Sequence, residues 1–149
     1  QLLSETNTQP WVFFRLAEFY LNLAEAEYFL GNESACRTAL NVIRSRTGVE
    51  MPPITEGGTA LLERLRNERR VELAFENHRY FDLRRWKIAE EYENINAMGV
   101  QVRKGTNGTI TYSPVTVLER KFLPQHYMLP IPREEIIKSN EVLKQNPGY

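Results

Sequence analysis

Residues 68–87 read ERRVELAFENHRYFDLRRWK, a helix-forming run that carries charge where a helix normally carries its apolar stripe. On a wheel of 3.6 residues per turn, Leu61, Leu65, Glu68, Glu72, Phe75, Arg79, Leu83 and Trp86 share one face. Glu68, Glu72 and Arg79 are ionisable and alternate in sign along it. An unpaired buried charge costs several kcal/mol, so such a stripe survives only if each of these groups meets a partner. Arg69, Arg70, Arg84 and Arg85 are the supply nearest in sequence. The run is therefore expected to form a lock between this helix and another part of the same protein. The expected structural ion-pair network comprises Glu68, Arg69, Glu72, Glu76, Arg79, Asp82 and Arg85. Were Glu72 fully buried in it, its loss would cost ~3–5 kcal/mol.

The elements around that run are mostly helical. Residues 11–30 are predicted to form a helix, with Leu16, Phe19, Tyr20, Leu23, Ala24 and Glu27 at helical spacing. Gly31 and Asn32 stop it, glycine supplying the left-handed position and asparagine a cap for the next helix. That second helix is predicted over 33–46 and ends at Thr47-Gly48. Met51-Pro52-Pro53 and Gly57-Gly58 bracket a loop, after which a long helix is predicted from about Thr59 to His78. Residues 80–88 are expected to begin a second segment or to continue through a kink. Val100, Val102 and the segment 109–112 flank Thr106-Asn107-Gly108, and Asn-Gly is a strong hairpin signal. Pro132 suits the first turn of a short helix whose Glu134 and Glu135 favour its positive end. The fold class expected is mainly α, with a tetratricopeptide-like helical hairpin, a long charged helix and a small β-hairpin excursion. The hairpin is similar to one such repeat at Leu23-Ala24-x-x-x-Tyr28 and Gly31. Repeats of this kind need about three or more stacked units to bury their faces. The missing ones are expected upstream, or else the pair docks on the long helix.

Several ordered segments together resemble the C-terminal part of the SusD/RagB family of outer-membrane nutrient-binding lipoproteins. The run at 68–87 is similar to the family's signature. FFRLAEFYLNLAEAEYFLGN (13–32) resembles its Arg-x-Ala-Glu helix, and ALNVIRSRTGV (39–49) its Asn-x-x-Arg-x-Arg-x-Gly segment. LPIPREEI (129–136) and the closing QNPGY (145–149) resemble its Pro-Ile-Pro and Gln-Asn-Pro-Gly-Tyr ending. The resemblance divides the chain into a repeat-like helix pair (1–50), charged signature helices (59–90), and a hairpin with a Pro-rich tail (99–149). It implies a surface glycan-binding protein without catalytic activity, outward-facing at the cell outer membrane. Such a protein hands a polysaccharide or oligosaccharide to the barrel of a TonB-dependent transporter. It also implies membrane association through an upstream lipid anchor that this chain does not contain. Some members of the family are implicated in binding peptides instead. A reading from another class is a helical-repeat scaffold that binds a protein, since such repeats present concave binding surfaces.

Composition and motifs exclude much else. Lys plus Arg and Asp plus Glu each total 19 in 149 residues, a balance that gives no pull toward nucleic acid. No run approaches the ~20 apolar residues that span a bilayer. Cys36, the single cysteine, lies beside Ala35 and Ala39 and is expected in the core. His78 is expected at a helix end and His126 in a loop, with no second histidine at metal spacing. No cofactor or metal is expected. Glycoside hydrolysis needs two carboxyls about 5–10 Å apart, one with a raised pKa. Glu68, Glu72 and Glu76 have arginine neighbours that push the other way. The chain is expected not to be an enzyme. Trp11 and Trp86 are expected to pack between helices, while Tyr112 and Tyr127 are the aromatic residues best placed to meet a ligand.

Overall fold

The computed structural model describes residues 13–149, and Trp11 with the opening segment lies outside the described residues. The chain separates into two compact units, residues 1–79 and 80–149.

In the first unit, α1 (Leu16–Phe29) and α2 (Glu33–Arg44) form the helical hairpin, turned by Gly31 at φ 82°. Asn32 occupies the N-cap of α2 but makes no side-chain cap bond, because its Nδ2 donates instead to Glu27 at 2.8 Å. α1 begins at Leu16, where Arg15 stands extended at the N-cap with its guanidinium committed to tertiary partners. α3 (Gly58–Glu72) packs on both. Leu21 and Ala24 from α1, Cys36, Leu40 and Ile43 from α2, and Leu61 and Leu65 from α3 make the core with Ile54 and Leu73.

The loop between α2 and α3 is held by polar side chains of α2. Ile54 N–H donates to Asn41 Oδ1 at 2.8 Å and Asn41 Nδ2 donates back to Ile54 O at 3.3 Å. Arg44 Nε donates to Pro52 O at 2.8 Å, and Gly58 N–H to Glu33 Oε1 at 2.8 Å. These bonds satisfy the polar backbone of a loop that seats Ile54 in the core.

The long charged helix stops earlier than the periodicity predicts. α3 ends at Glu72, and α4 (His78–Arg85) begins only after a break. Phe75 and Asn77 adopt φ of 65° and 64°, left-handed values that no continuous helix accommodates. Phe75 is fully exposed, at 100%, rather than part of a buried stripe. His78 therefore starts a helix and does not end one; its Nε2 lies 3.8 Å from Glu18.

The second unit is built on Leu83, Ala89 and Phe122, with Ile88, Tyr92 and Tyr127 packed against them. After α4 comes the short α5 (Ala89–Glu93), then the antiparallel ribbon of β1 (Ala97–Lys104) and β2 (Ile110–Leu118). Val102 faces Tyr112 and Lys104 faces Ile110 across it. Gly108 at φ 82° turns the hairpin, and Thr109 N–H donates to Asn107 Oδ1 at 3.0 Å. An irregularity at Ala97/Met98 leaves Val117 without an opposite residue. A Cβ on Gly99 would come within 2.5 Å of Val117 Cγ2, so a side chain there would have to displace Val117. A 3-10 turn (Pro124–Tyr127) and α6 (Arg133–Lys138) follow, with Pro132 at the N-cap of α6.

The tail folds back on the segment before α6. Ile131 N–H donates to Gln145 Oε1 at 2.8 Å while Gln145 Nε2 donates to Ile131 O at 2.9 Å. Asn146 Nδ2 donates to Leu129 O at 2.6 Å, and the Tyr149 hydroxyl donates to Met128 O at 3.1 Å. The Pro-Ile-Pro segment and the Gln-Asn-Pro-Gly-Tyr ending are thus two halves of one structure.

Candidate functional site

Glu63 of α3 pairs within the helix with Arg66, but Glu68 and Glu72 meet arginines in or beside the other two helices and not their sequence neighbours. Glu68 accepts from Arg44 Nη1 at 2.7 Å, with side chains only 15% and 10% exposed. Glu72 accepts from Arg15 at 2.6 Å and from Arg46 Nη2 at 2.9 Å. Glu76, beyond the helix break, accepts from Arg15 Nε at 2.9 Å. Arg15 also donates to the Glu72 carbonyl. The N-terminus of α1, the segment after α2 and the C-terminus of α3 are thereby joined through one charged seam.

The electrostatics of the seam follow from these contacts. Burial pushes the Glu72 carboxyl upward, but hydrogen bonds and charge from Arg46 and Arg15 outweigh it and hold it below the ordinary value. The hydrogen bond from Arg15 holds Glu76 low as well. Both arginines are raised in turn, Arg15 first by Glu76 and Arg46 first by Glu72. A catalytic general acid needs its proton held at neutral pH, the opposite of this arrangement.

The other expected network members take separate places. Arg69 is buried and donates to Asn22 Oδ1 of α1 at 2.7 Å. Arg70, near in sequence but outside the expected network, is exposed and donates to Asn67. Asp82 is buried and pairs with Arg85 at 2.8 Å within α4, and the Arg85 guanidinium also lies 4.7 Å from the Trp86 ring. Arg79 is half-buried at the start of α4. Trp86 is half-buried. Cys36 is fully buried, and burial pushes its thiol pKa up, the reverse of what a nucleophile requires.

Of the two tyrosines, Tyr112 is 68% exposed on the ribbon. Tyr127 is not the exposed residue expected. It sits in the 3-10 turn with its ring centroid 4.9 Å from that of Phe122, and its hydroxyl accepts from Glu90 N–H at 3.4 Å. The turn folds Tyr127 onto the cluster of Leu83, Ala89 and Phe122. His126 lies in the same turn, its Nδ1 accepting from Leu123 N–H at 3.1 Å.

Two surface features lie apart from the charged seam and the two tyrosines. On the first unit, Tyr20, Leu23, Ala35, Ala39 and Val42 line an open groove of about 580 Å³ between α1 and α2. Leu16, Phe19 and Leu23 are 69%, 60% and 48% exposed beside it. On the second unit, a pocket of about 500 Å³ lies between α4, the end of β2 and the 3-10 turn. Among the described residues, no group of three or more His, Cys, Asp or Glu side chains is arranged to hold a metal ion. No helix among them is long and apolar enough to cross a membrane.

Comparison with known proteins accounts for nearly the whole sequence. Residues 3–149 match the model of the SusD family. Two SusD-like proteins of Formosa agariphila are 30% identical over 155 residues and 31% over 147, covering 98% and 93% of this chain. The crystal structure of a SusD-like protein from Bacteroides fragilis is 39% identical, with a TM-score of 0.79 over 93% of this chain. The chain spans about a quarter of these relatives' own length: 26% and 24% of the two Formosa proteins and 26% of the Bacteroides protein.

Proposed function

The chain belongs to the SusD family, and from that premise we propose that it is part of a non-catalytic glycan-binding protein of nutrient uptake. On this reading the whole protein sits at the outer membrane, facing outward through a lipid anchor. It passes oligosaccharide to a TonB-dependent transporter. The observation that carries the reading is the match to the family over residues 3–149. The charged seam supports the non-catalytic part, since Glu72 and Glu76 are held ionised by arginines and tie helices together. Tyr112, exposed on a ribbon that reaches out from the second unit, is the residue we assign to ligand contact on this segment.

A protein-scaffold reading is favoured by one observation, the uncovered apolar face of α1 at Leu16, Phe19 and Leu23. In a larger helical array that face would meet the next pair of helices. Affinity electrophoresis of the whole protein and of this segment against a panel of polysaccharides separates the readings. Retardation of the whole protein by one glycan is the expected result. Retardation of neither by any glycan overturns the glycan reading and leaves peptide binding or a scaffold role.

A further inference from the structure

The pocket of the second unit is rich in cationic donors and flanked by aromatic rings. Arg84 is its centre. The guanidinium carbon lies 3.5 Å from the centroid of the Tyr80 ring and 5.2 Å from that of Phe122. One terminal nitrogen donates to Tyr80 O at 3.0 Å, and Nε is buried without an acceptor. Arg84 has no carboxylate partner among the described residues, in contrast to Arg15, Arg44 and Arg46. Its charge is held in place by rings and leaves most of its hydrogen-bonding capacity unused.

The surrounding groups point the same way. Lys121 lines the pocket and is exposed. Arg120 is paired with Glu93 at 2.6 Å, so that acid is already occupied. Glu119 is the other side-chain carboxylate of the lining, so the side chains of Arg84, Arg120 and Lys121 outnumber the acidic ones by one. His126 also lines the pocket, its Nδ1 accepting from Leu123 N–H. Tyr80 and Tyr149, 43% and 48% exposed, supply flat apolar surface at the rim. A volume of about 500 Å³ accommodates one or two pyranose rings within the ordinary range of ligand sites.

We propose that this pocket is a subsite for an acidic sugar, a hexuronate residue whose carboxylate is taken by Arg84 and Lys121 while its ring lies against the tyrosines. The assignment rests on the glycan-binding reading above and names the class of glycan. Charge-assisted hydrogen bonds from the terminal nitrogens of Arg84 to a carboxylate use donors that the fold leaves open, and aromatic rings beside cations suit a pyranose with one charged edge better than a neutral glucan.

The test uses the whole protein with polygalacturonate and a neutral galactan in affinity electrophoresis, and free galacturonate followed by calorimetry. Retardation by polygalacturonate but not by galactan is expected. Lys121→Gln should weaken galacturonate binding about three- to tenfold and Arg84→Gln about tenfold or more, while Lys138→Gln on α6 leaves it unchanged. Should Arg84→Gln misfold, Lys121→Gln decides, together with loss of affinity between low and high salt. Polygalacturonate binding that is untouched by Lys121→Gln in a folded protein overturns the assignment. Binding of galactan alone, or of neither polymer, overturns it while leaving the glycan reading standing, which falls only if no glycan of the wider panel retards the whole protein.

Discussion

Replacing Glu68 by Gln should destabilise the first unit more than replacing Glu72 by Gln, although Glu72 makes more bonds. The difference lies in what each substitution strands. The Arg44 side chain is 10% exposed and has Glu68 as its carboxylate partner, its remaining bond going to Pro52 O. Neutralising Glu68 leaves a nearly buried guanidinium without a counter-charge, and removing one member of a buried pair costs about 3–5 kcal/mol. Residual access of water puts the expected loss near the low end, about 3 kcal/mol. At Glu72 the stranded partners fare better. Arg15 keeps Glu76, and the Arg46 side chain is 45% exposed and returns to water. A surface pair of the Arg46 kind contributes about 0.2–1 kcal/mol, so Glu72→Gln should cost about 1–2 kcal/mol in all. That is below the figure for a fully buried glutamate, because the carboxylate is buried and its partners are not. Urea unfolding of the whole protein, with amide exchange in α2 and α3 as the local readout, measures both. Combining Arg44→Met with Glu68→Leu should recover most of the Glu68 loss. A Glu72→Gln penalty equal to or above that of Glu68→Gln would refute the reasoning that the exposure of the stranded partner decides the cost.

Glu72 and Glu76 are depressed carboxylates, so their contribution is fully present above the unfolded glutamate value of about 4.3 and is lost as pH falls through the lower folded values. Stability of the first unit measured against pH should therefore drop below about pH 4, and Glu72→Gln should flatten that drop. Phe75→Gly should stabilise by up to about 1 kcal/mol in thermal unfolding, since φ of 65° is strained for phenylalanine and free for glycine. A clear loss would mean that the exposed ring packs on a part of the whole protein beyond this segment. Gln145→Ala should cost about 1–3 kcal/mol and raise amide exchange at Ile131, whose N–H loses its acceptor. Unchanged exchange at Ile131 would rule the clip out as its source of protection.

The helical hairpin and the ribbon were legible because their signals are local. Period, Gly31 and Asn107-Gly108 act within a few residues of where they are read. The lock was legible as a demand for partners, and its partners were not. Arg69 stands beside Glu68 in sequence but about 100° away around the helix, so it reaches Asn22 while Glu68 reaches Arg44. Arg15 lies 57 residues from Glu72, a distance no spacing rule bridges. The break after α3 was hard to read because Phe75 is a poor left-handed residue, which leaves Asn77 as its one local sign. Tyr127 gave no sign of its packing, because the 3-10 turn that begins at Pro124 brings it onto Phe122, a contact that no local spacing shows. The pocket had one readable sign, Tyr80 and Arg84 at the i, i+4 spacing that brings a cation over a ring.

The tail clip reads only main chain at positions 128–131: the N–H and carbonyl of Ile131 and the carbonyls of Leu129 and Met128. Selection on the two strips it joins is therefore unequal. Leu129, 71% exposed, can drift through many side chains without loosening the clip, because every residue offers the same carbonyl. Pro130 is tolerated because no bond of the clip asks for its missing N–H. Gln145 has no such freedom, since only a side-chain amide of that reach donates to the C=O and accepts from the N–H of one residue at once. Divergence among relatives at the level seen here, 30–39% identity, should accordingly spare the glutamine and spend itself on the residues it holds.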